Sequence, residues 1–171
     1  MSGSRKLVVA VLFVFFVSCW FVSCRQKTET EIIAALVAEL AVRAEKRDAA
    51  GLIACLAEGY SDFERRDRAQ TATLLEEYFS RYRGIVIHVL ASRITIDNAR
   101  NAVVESDVSL SSGAAQAFRK LVRFSGENYR FGCRLRKDGR WLITEAKWEY
   151  VAVAGLFPES LKILRELFPN L

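Results

Sequence analysis

The chain has one histidine, His88, and no Cys-x-x-Cys or His-x-x-x-His spacing. Metal centres are built from clustered donors at such spacings, so no metal site is expected. No motif calls for a cofactor either. Proline occurs twice in 171 residues and glycine nine times, and neither gathers into a linker, repeat or low-complexity stretch. Charge of one sign is also scarce. Lys and Arg number 25 against 20 Asp and Glu, giving a formal charge of +5 with the two signs interleaved. That is too mild and too mixed for a nucleic-acid footprint. A long apolar run is missing as well. Residues 7–22 fall short of the about 20 residues that a membrane-spanning helix needs, and Ser18 and Cys19 interrupt them.

What the short run does fit is an export signal. Arg5-Lys6 precedes apolar residues 7–17, and Phe21-Val22-Ser23-Cys24 closes the segment. The layout resembles a bacterial lipoprotein signal peptide, whose usual pattern is Leu, then Ala/Ser/Thr/Val, then Gly/Ala/Ser, then Cys. Val22, Ser23 and Cys24 fit, and Phe21 departs. Phe16-Val17-Ser18-Cys19 fits equally well, so Cys19 is a rival site. Cys24 is preferred because Arg25-Gln26-Lys27 follows it, and polarity should begin where an anchor ends. The resemblance implies a signal peptide at 1–23, acyl lipid such as palmitate on Cys24, and a short tether at 24–30. The domain at 31–171 would be held at the cell envelope, on the extracytoplasmic side of a membrane (the periplasmic side or the outer membrane in a Gram-negative cell). Two or more acyl chains anchor durably where one does not. Without Arg5 and Lys6 the mature chain is near +3.

Thr28-x-x-Glu31 reads as a capping box opening a first helix over 31–47, with Ile32, Ile33, Leu36, Val37, Leu40, Ala41 and Ala44 at helical spacing. Asp48 caps a second helix over 49–58, ended by Gly59. A short strand at 60–63 and a charged surface turn at 64–68 follow. A second capping box, Thr73 to Glu76, marks a third helix, with Leu74, Leu75, Tyr78, Phe79 and Tyr82 on one face and Gly84 as its stop. From Ile85 the pattern becomes extended. Strands are expected over 85–96 and 102–110, and on both sides of Asp138-Gly139, which is a hairpin signal. Residues 113–128 are read as a strand with a bulge. A last helix lies between Pro158 and Pro169, with Leu161, Leu164 and Phe168 on one face. The expected class is α+β: a cone-shaped, curved antiparallel sheet with three N-terminal helices and a short C-terminal helix. That helix belongs to an extension starting at about 155. It is expected to pack on the domain, closing the cone or covering its flank.

This order resembles the nuclear transport factor 2-like superfamily. The matching stretches are Arg47-Asp48-Ala49-Ala50 after the first helix, Leu56-Ala57-Glu58-Gly59-Tyr60, Lys137-Asp138-Gly139-Arg140-Trp141-Leu142-Ile143, and Ala146-Lys147-Trp148. The resemblance extends over residues 31–153. The superfamily includes SnoaL-like and ketosteroid isomerase-like enzymes, dehydratase-like enzymes, binding modules and dimeric scaffolds, so the resemblance implies a fold and leaves the activity open.

An isomerase of this fold needs a carboxylate base in the cone and an acid that polarises the carbonyl. Asp62 or Glu64 lies where the resemblance places such a base. The first helix, however, has no tyrosine, and strand 129–137 has no carboxylate. A dehydratase-like site wants a histidine beside a carboxylate. His88 is available on a strand, and the sequence positions no carboxylate beside it. Glu145 depends on the hairpin. With a two-residue turn, Leu142, Thr144 and Trp148 share the face of Cys133 and Leu135. With a G1 bulge, Trp141, Ile143 and Glu145 share it, and a carboxylate faces the cone. Glu105 and Asp107 opposite Arg130 and Arg134 read as an exposed, charge-paired sheet face.

The sequence therefore favours a lipid-anchored, non-enzymatic binding or scaffold domain over a catalyst. Its cone pocket would be lined by Tyr78, Phe79, Phe131 and Trp148. The alternative is a small-molecule isomerase or dehydratase using Asp62, Glu64, His88 or Glu145. Expected partners are the membrane, through the anchor, and a second copy or an envelope protein; nucleic acid is not among them. Cys55 and Cys133 both sit on core-facing positions in a compartment where disulfides persist. The pattern allows a bridge between them or two buried free thiols.

Overall fold

The computed structural model describes residues 27–111 and 127–167. The lipidation segment, the strand expected over 113–128 and the Pro169 stop lie outside these, apart from residues 127–128.

Helix α1 spans Glu29–Glu45 and opens on the expected capping box, with Thr28 accepting from the Glu31 N–H and Glu31 reaching back to the Thr28 N–H. Helix α2 spans only Ala49–Ala54, capped by Asp48. The sequence predicts a helix as far as residue 58, because Leu56, Ala57 and Glu58 suit one. In the fold they open strand β1, Leu56–Asp62, which runs parallel to the last strand. The pairing overrides the local propensity: Cys55 O accepts from Ile143 N–H at 2.9 Å, and Ala57 and Tyr60 turn into the core. Helix α3 spans Arg68–Arg81 and starts earlier than expected, on an Asp67–Gln70 capping box rather than at Thr73.

Strands β2 (Val86–Asn98), β3 (Asn101–Ser111), β4 (Glu127–Asp138) and β5 (Arg140–Tyr150) follow, and the sheet order is β1-β5-β4-β3-β2. All pairs are antiparallel except β1–β5. A short 3-10 turn, Val153–Gly155, leads to α4, Pro158–Leu167, with proline in the first turn as expected. Among the described residues no helix is long and apolar enough to cross a membrane.

The two sheet faces differ in chemistry. Register places Ala102, Val104, Ser106 and Val108 beside Leu135, Cys133, Phe131 and Tyr129. Helix α1 covers part of this inner face. Ile33, fully buried, packs with Tyr60, Ala102, Val104, Leu135, Trp141 and Ile143, flanked by Leu36, Val37 and Leu40. The hairpin follows neither simple register throughout. Gly139, at φ +68°, lets Asp138 pair with Arg140, so Trp141 and Ile143 face inward with Leu135. Thr144 then bulges, and its hydroxyl donates to the Arg134 carbonyl at 3.2 Å. Beyond the bulge Ala146 and Trp148 face inward, and Glu145 is thrown outward.

The outer face of β3 is not an exposed charged surface. Asp107 is fully buried beneath α4. Its carboxylate accepts from Arg130 Nε at 2.9 Å, Phe157 N–H at 2.5 Å and Ser160 Oγ at 2.9 Å. The guanidinium groups of Arg93 and Arg130 each lie 4.0 Å from the Phe157 ring centroid. Leu90, Val151 and Leu156 form a second small core there, joined by Leu161. The C-terminal helix therefore covers the flank of the sheet.

Candidate functional site

Cross-strand pairing on the inner face builds a row of aromatic rings. Phe131 lies opposite Trp148, stacked at 6.1 Å between centroids, and Tyr129 lies opposite Tyr150 at 6.2 Å, edge to face. Tyr129 also approaches Phe131 at 6.3 Å. Phe63, from the loop after β1, meets Trp148 edge-on at 4.8 Å. The row is open at both ends: Phe63 is 52% exposed and Tyr150 66%. Beside Phe131, Ser106 Oγ and Ser92 Oγ share a hydrogen bond of 2.8 Å, so hydroxyls lie next to the rings.

The loop carrying Phe63 is fixed by Asp62. Its Oδ1 accepts from the Glu64 and Arg66 N–H groups, each at 2.9 Å, and its Oδ2 accepts from Arg66 Nε at 2.6 Å. Arg65 adopts φ +65° within this turn. Arg66 also pairs with Glu64 at 2.5 Å and lies 5.4 Å over the Trp148 ring. Burial alone would raise the Asp62 pKa, but the Arg66 hydrogen bond and charge and the two N–H groups outweigh it and hold the carboxyl below its usual value. Tyr60 next to it is pushed up to about 12, by burial first and by the Asp62 charge second, so its hydroxyl stays protonated.

The candidate acid–base groups do not converge. Asp62 is on the inner face, but its carboxylate is an ionised loop organiser with both oxygens occupied. Glu64 is exposed and paired with Arg66. Glu145 pairs with Arg134 on the outer face at 3.4 Å, the outcome opposite to the cone-facing register. His88 lies opposite Ser109 and so shares the face of Asp107, away from the aromatic row. Phe131 and Trp148 come together as expected. Tyr78 and Phe79 join Tyr82 in a separate aromatic group on and after α3. Cys55 and Cys133 are both free thiols. Cys55 Sγ donates to Gly51 O at 3.5 Å, and burial raises the pKa of both thiols, that of Cys133 to about 12. The bridge the sequence allowed is not formed.

Replacing Arg66 with alanine is expected to raise the Asp62 pKa, because burial remains while the cation is gone. The stability cost is on the order of 1–3 kcal/mol. Asp62 with a depressed pKa stabilises the fold above its unfolded pKa, and that contribution fades as pH falls through the folded value. The variant should lose this acid dependence. Side-chain carboxyl titration by NMR checks the direction, and an unmoved Asp62 would refute the assignment.

No family model and no curated protein matches the sequence. Solved structures do match in shape. A nuclear transport factor 2-like protein of unknown function from Pseudomonas aeruginosa aligns with TM-score 0.56 at 12% identity, over 71% of this chain and 99% of that one. The fold is nuclear transport factor 2-like. A scytalone dehydratase-like protein from Novosphingobium aromaticivorans aligns at 0.61, with 16% identity over 72% of this chain and 85% of that one. A dehydratase-like member of the nuclear transport factor 2-like family from Streptomyces avermitilis aligns at 0.60, with 11% identity over 73% and 98%. This chain spans only 40% of a Bdellovibrio bacteriovorus protein that it matches at 0.58, with 14% identity over 71% of this chain. At these identities the likeness concerns the nuclear transport factor 2-like fold alone.

Four side chains of this face are not anticipated by the sequence: Phe63, expected only at a strand end, Tyr129 and Tyr150, expected only as strand residues, and Arg66, expected in a surface turn. The signal was present for the tyrosines: Tyr129 and Phe131, like Trp148 and Tyr150, are two residues apart and so share a strand face.

Proposed function

We propose that this chain is a lipid-anchored extracytoplasmic lipoprotein whose nuclear transport factor 2-like domain binds an apolar, ring-bearing ligand or partner on its inner aromatic face, without catalysing a reaction. The observation that carries the reading is the division of chemistry between the faces. The inner face offers Phe63, Trp148, Phe131 and Tyr129 beside the Ser92–Ser106 hydroxyl pair. Asp62, the carboxylate beside the aromatic row, is already ion-paired, and His88 and Glu145 lie on the other side of the sheet. Acid–base catalysis needs such groups within hydrogen-bond reach of one another or of a shared substrate. Apolar recognition needs only a concave ring-lined surface with a few polar groups.

Titration of the full-length protein in detergent with the fluorescent probe anilinonaphthalene sulfonate tests the binding face. Trp148→Ala should lose most of the saturable signal, and Glu145→Gln and His88→Ala should keep it. Loss with His88→Ala and retention with Trp148→Ala would move the site to the other face and revive the catalytic alternative. In cells, Cys24→Ala should leave uncleaved precursor.

A further inference from the structure

Three segments meet at one end of the domain. Glu29, in the first turn of α1, accepts from Lys137 Nζ at 2.5 Å and from Trp141 Nε1 at 2.7 Å, both beside the β4–β5 hairpin tip. The β2–β3 tip is tied to the same place, because Arg100 O accepts from Lys137 N–H at 2.8 Å and Asn101 lies opposite Arg136. The start of α1 cannot swing away from these tips without breaking those bonds.

This end is also where the proposed anchor enters. From Cys24 to Thr28 the chain spans at most about 14 Å when fully extended. A lipid on Cys24 therefore brings this end, and no other, against the bilayer. Its surface suits that position. Lys27, Arg100, Arg136 and Arg140 are exposed here, and Arg140 also donates to Ala54 O. Lys137 and Glu29 neutralise each other, the Glu31 carboxylate serves the capping box, and Asp97 and Asp138 are the other acids among the described residues of these three segments. The five cations Lys27, Arg100, Arg136, Lys137 and Arg140 thus outnumber the four carboxylates Glu29, Glu31, Asp97 and Asp138. Two large aliphatic side chains, Ile32 at 37% and Ile96 at 38% exposure, stay outside the core at the same end.

We propose that this end, made of the two hairpin tips and the first turn of α1, is a membrane-contact surface that seats on anionic phospholipid headgroups and fixes the orientation of the domain. The proposal rests on the anchoring reading above. Basic side chains near an anionic surface each add attraction that fades with salt. The seat turns the hairpin ends toward the bilayer and the far end of β2 away from it.

The test is arginine footprinting of the lipidated full chain in vesicles, read by mass spectrometry after phenylglyoxal treatment. In phosphatidylglycerol-rich vesicles Arg100, Arg136 and Arg140 should react several-fold more slowly than in phosphatidylcholine vesicles. Arg81 and Arg83, exposed beyond the opposite end of β2, should react equally in both. High salt should remove the difference. The same spectra report the N-terminal peptide. Lipid on Cys24 with equal arginine reactivity in the two vesicles overturns the membrane seat alone. A lipid-free N-terminus overturns the anchoring reading, and the seat with it.

Discussion

Replacing Asp107 with alanine is expected to cost about 3–5 kcal/mol of folding stability, the range for removing one partner of a buried charge pair. The carboxylate is fully buried, and three donors depend on it: the Arg130 guanidinium, the Phe157 N–H at the head of α4, and the Ser160 hydroxyl. Alanine supplies no acceptor, so the Phe157 N–H and the Ser160 hydroxyl are left unpaired in a buried site and Arg130 loses its counter-charge. The loss should spread to α4, because Phe157 is held between Arg93 and Arg130 and the Arg93–Glu159 pair closes the far side. Truncation after Ala154 should destabilise comparably by removing Leu156 and Leu161 from the second core and Phe157 from its contacts with Arg93 and Arg130. Truncation combined with Asp107→Ala should cost little more than truncation alone, since both break one unit. Thermal and denaturant unfolding measure all three. A change under about 0.5 kcal/mol for Asp107→Ala, the size of an ordinary surface substitution, would show that α4 is not held as described.

Trp141→Ala is expected to cost about 3–5 kcal/mol, the usual range for a large aromatic truncated in a core. Trp141 is 4% exposed and packs in the cluster around Ile33. It also joins α1 to the sheet through its hydrogen bond to Glu29. The Glu29 carboxyl is held below its usual pKa by Lys137 first and by Trp141 second. Trp141→Phe keeps most of the ring volume and loses only the indole N–H, so it should retain most of the stability. Glu29 should then titrate closer to an ordinary carboxylate. Unfolding curves for the pair separate packing from the hydrogen bond. Equal losses in both variants would assign the effect to the bond rather than to the ring.

The parts of this fold that were legible in the sequence are those governed by local signals. The Thr28–Glu31 capping box, the Asp138-Gly139 turn and Pro158 act within a few residues, and each stands where the pattern put it. The misread parts are those settled by distant partners. Residues 56–58 have helical composition and become strand because β5 offers an edge. Asp107 and Arg130 read as exposed strand charges, because nothing local says that a helix fifty residues later will cover them. Glu145 turned on one bulged residue, Thr144, since a single insertion flips every side chain beyond it to the other face. Phe131 and Trp148 in the candidate site were legible from strand alternation. Phe63 and Arg66 were not, because a loop held by one carboxylate delivers them.

Anchoring underlies both the proposed function and the membrane seat, and the mass of the mature N-terminal peptide from native membranes tests it most directly. The account predicts a peptide beginning at Cys24 and carrying acyl lipid, with residues 1–23 absent. An intact Met1, or a processed N-terminus without lipid, would contradict it.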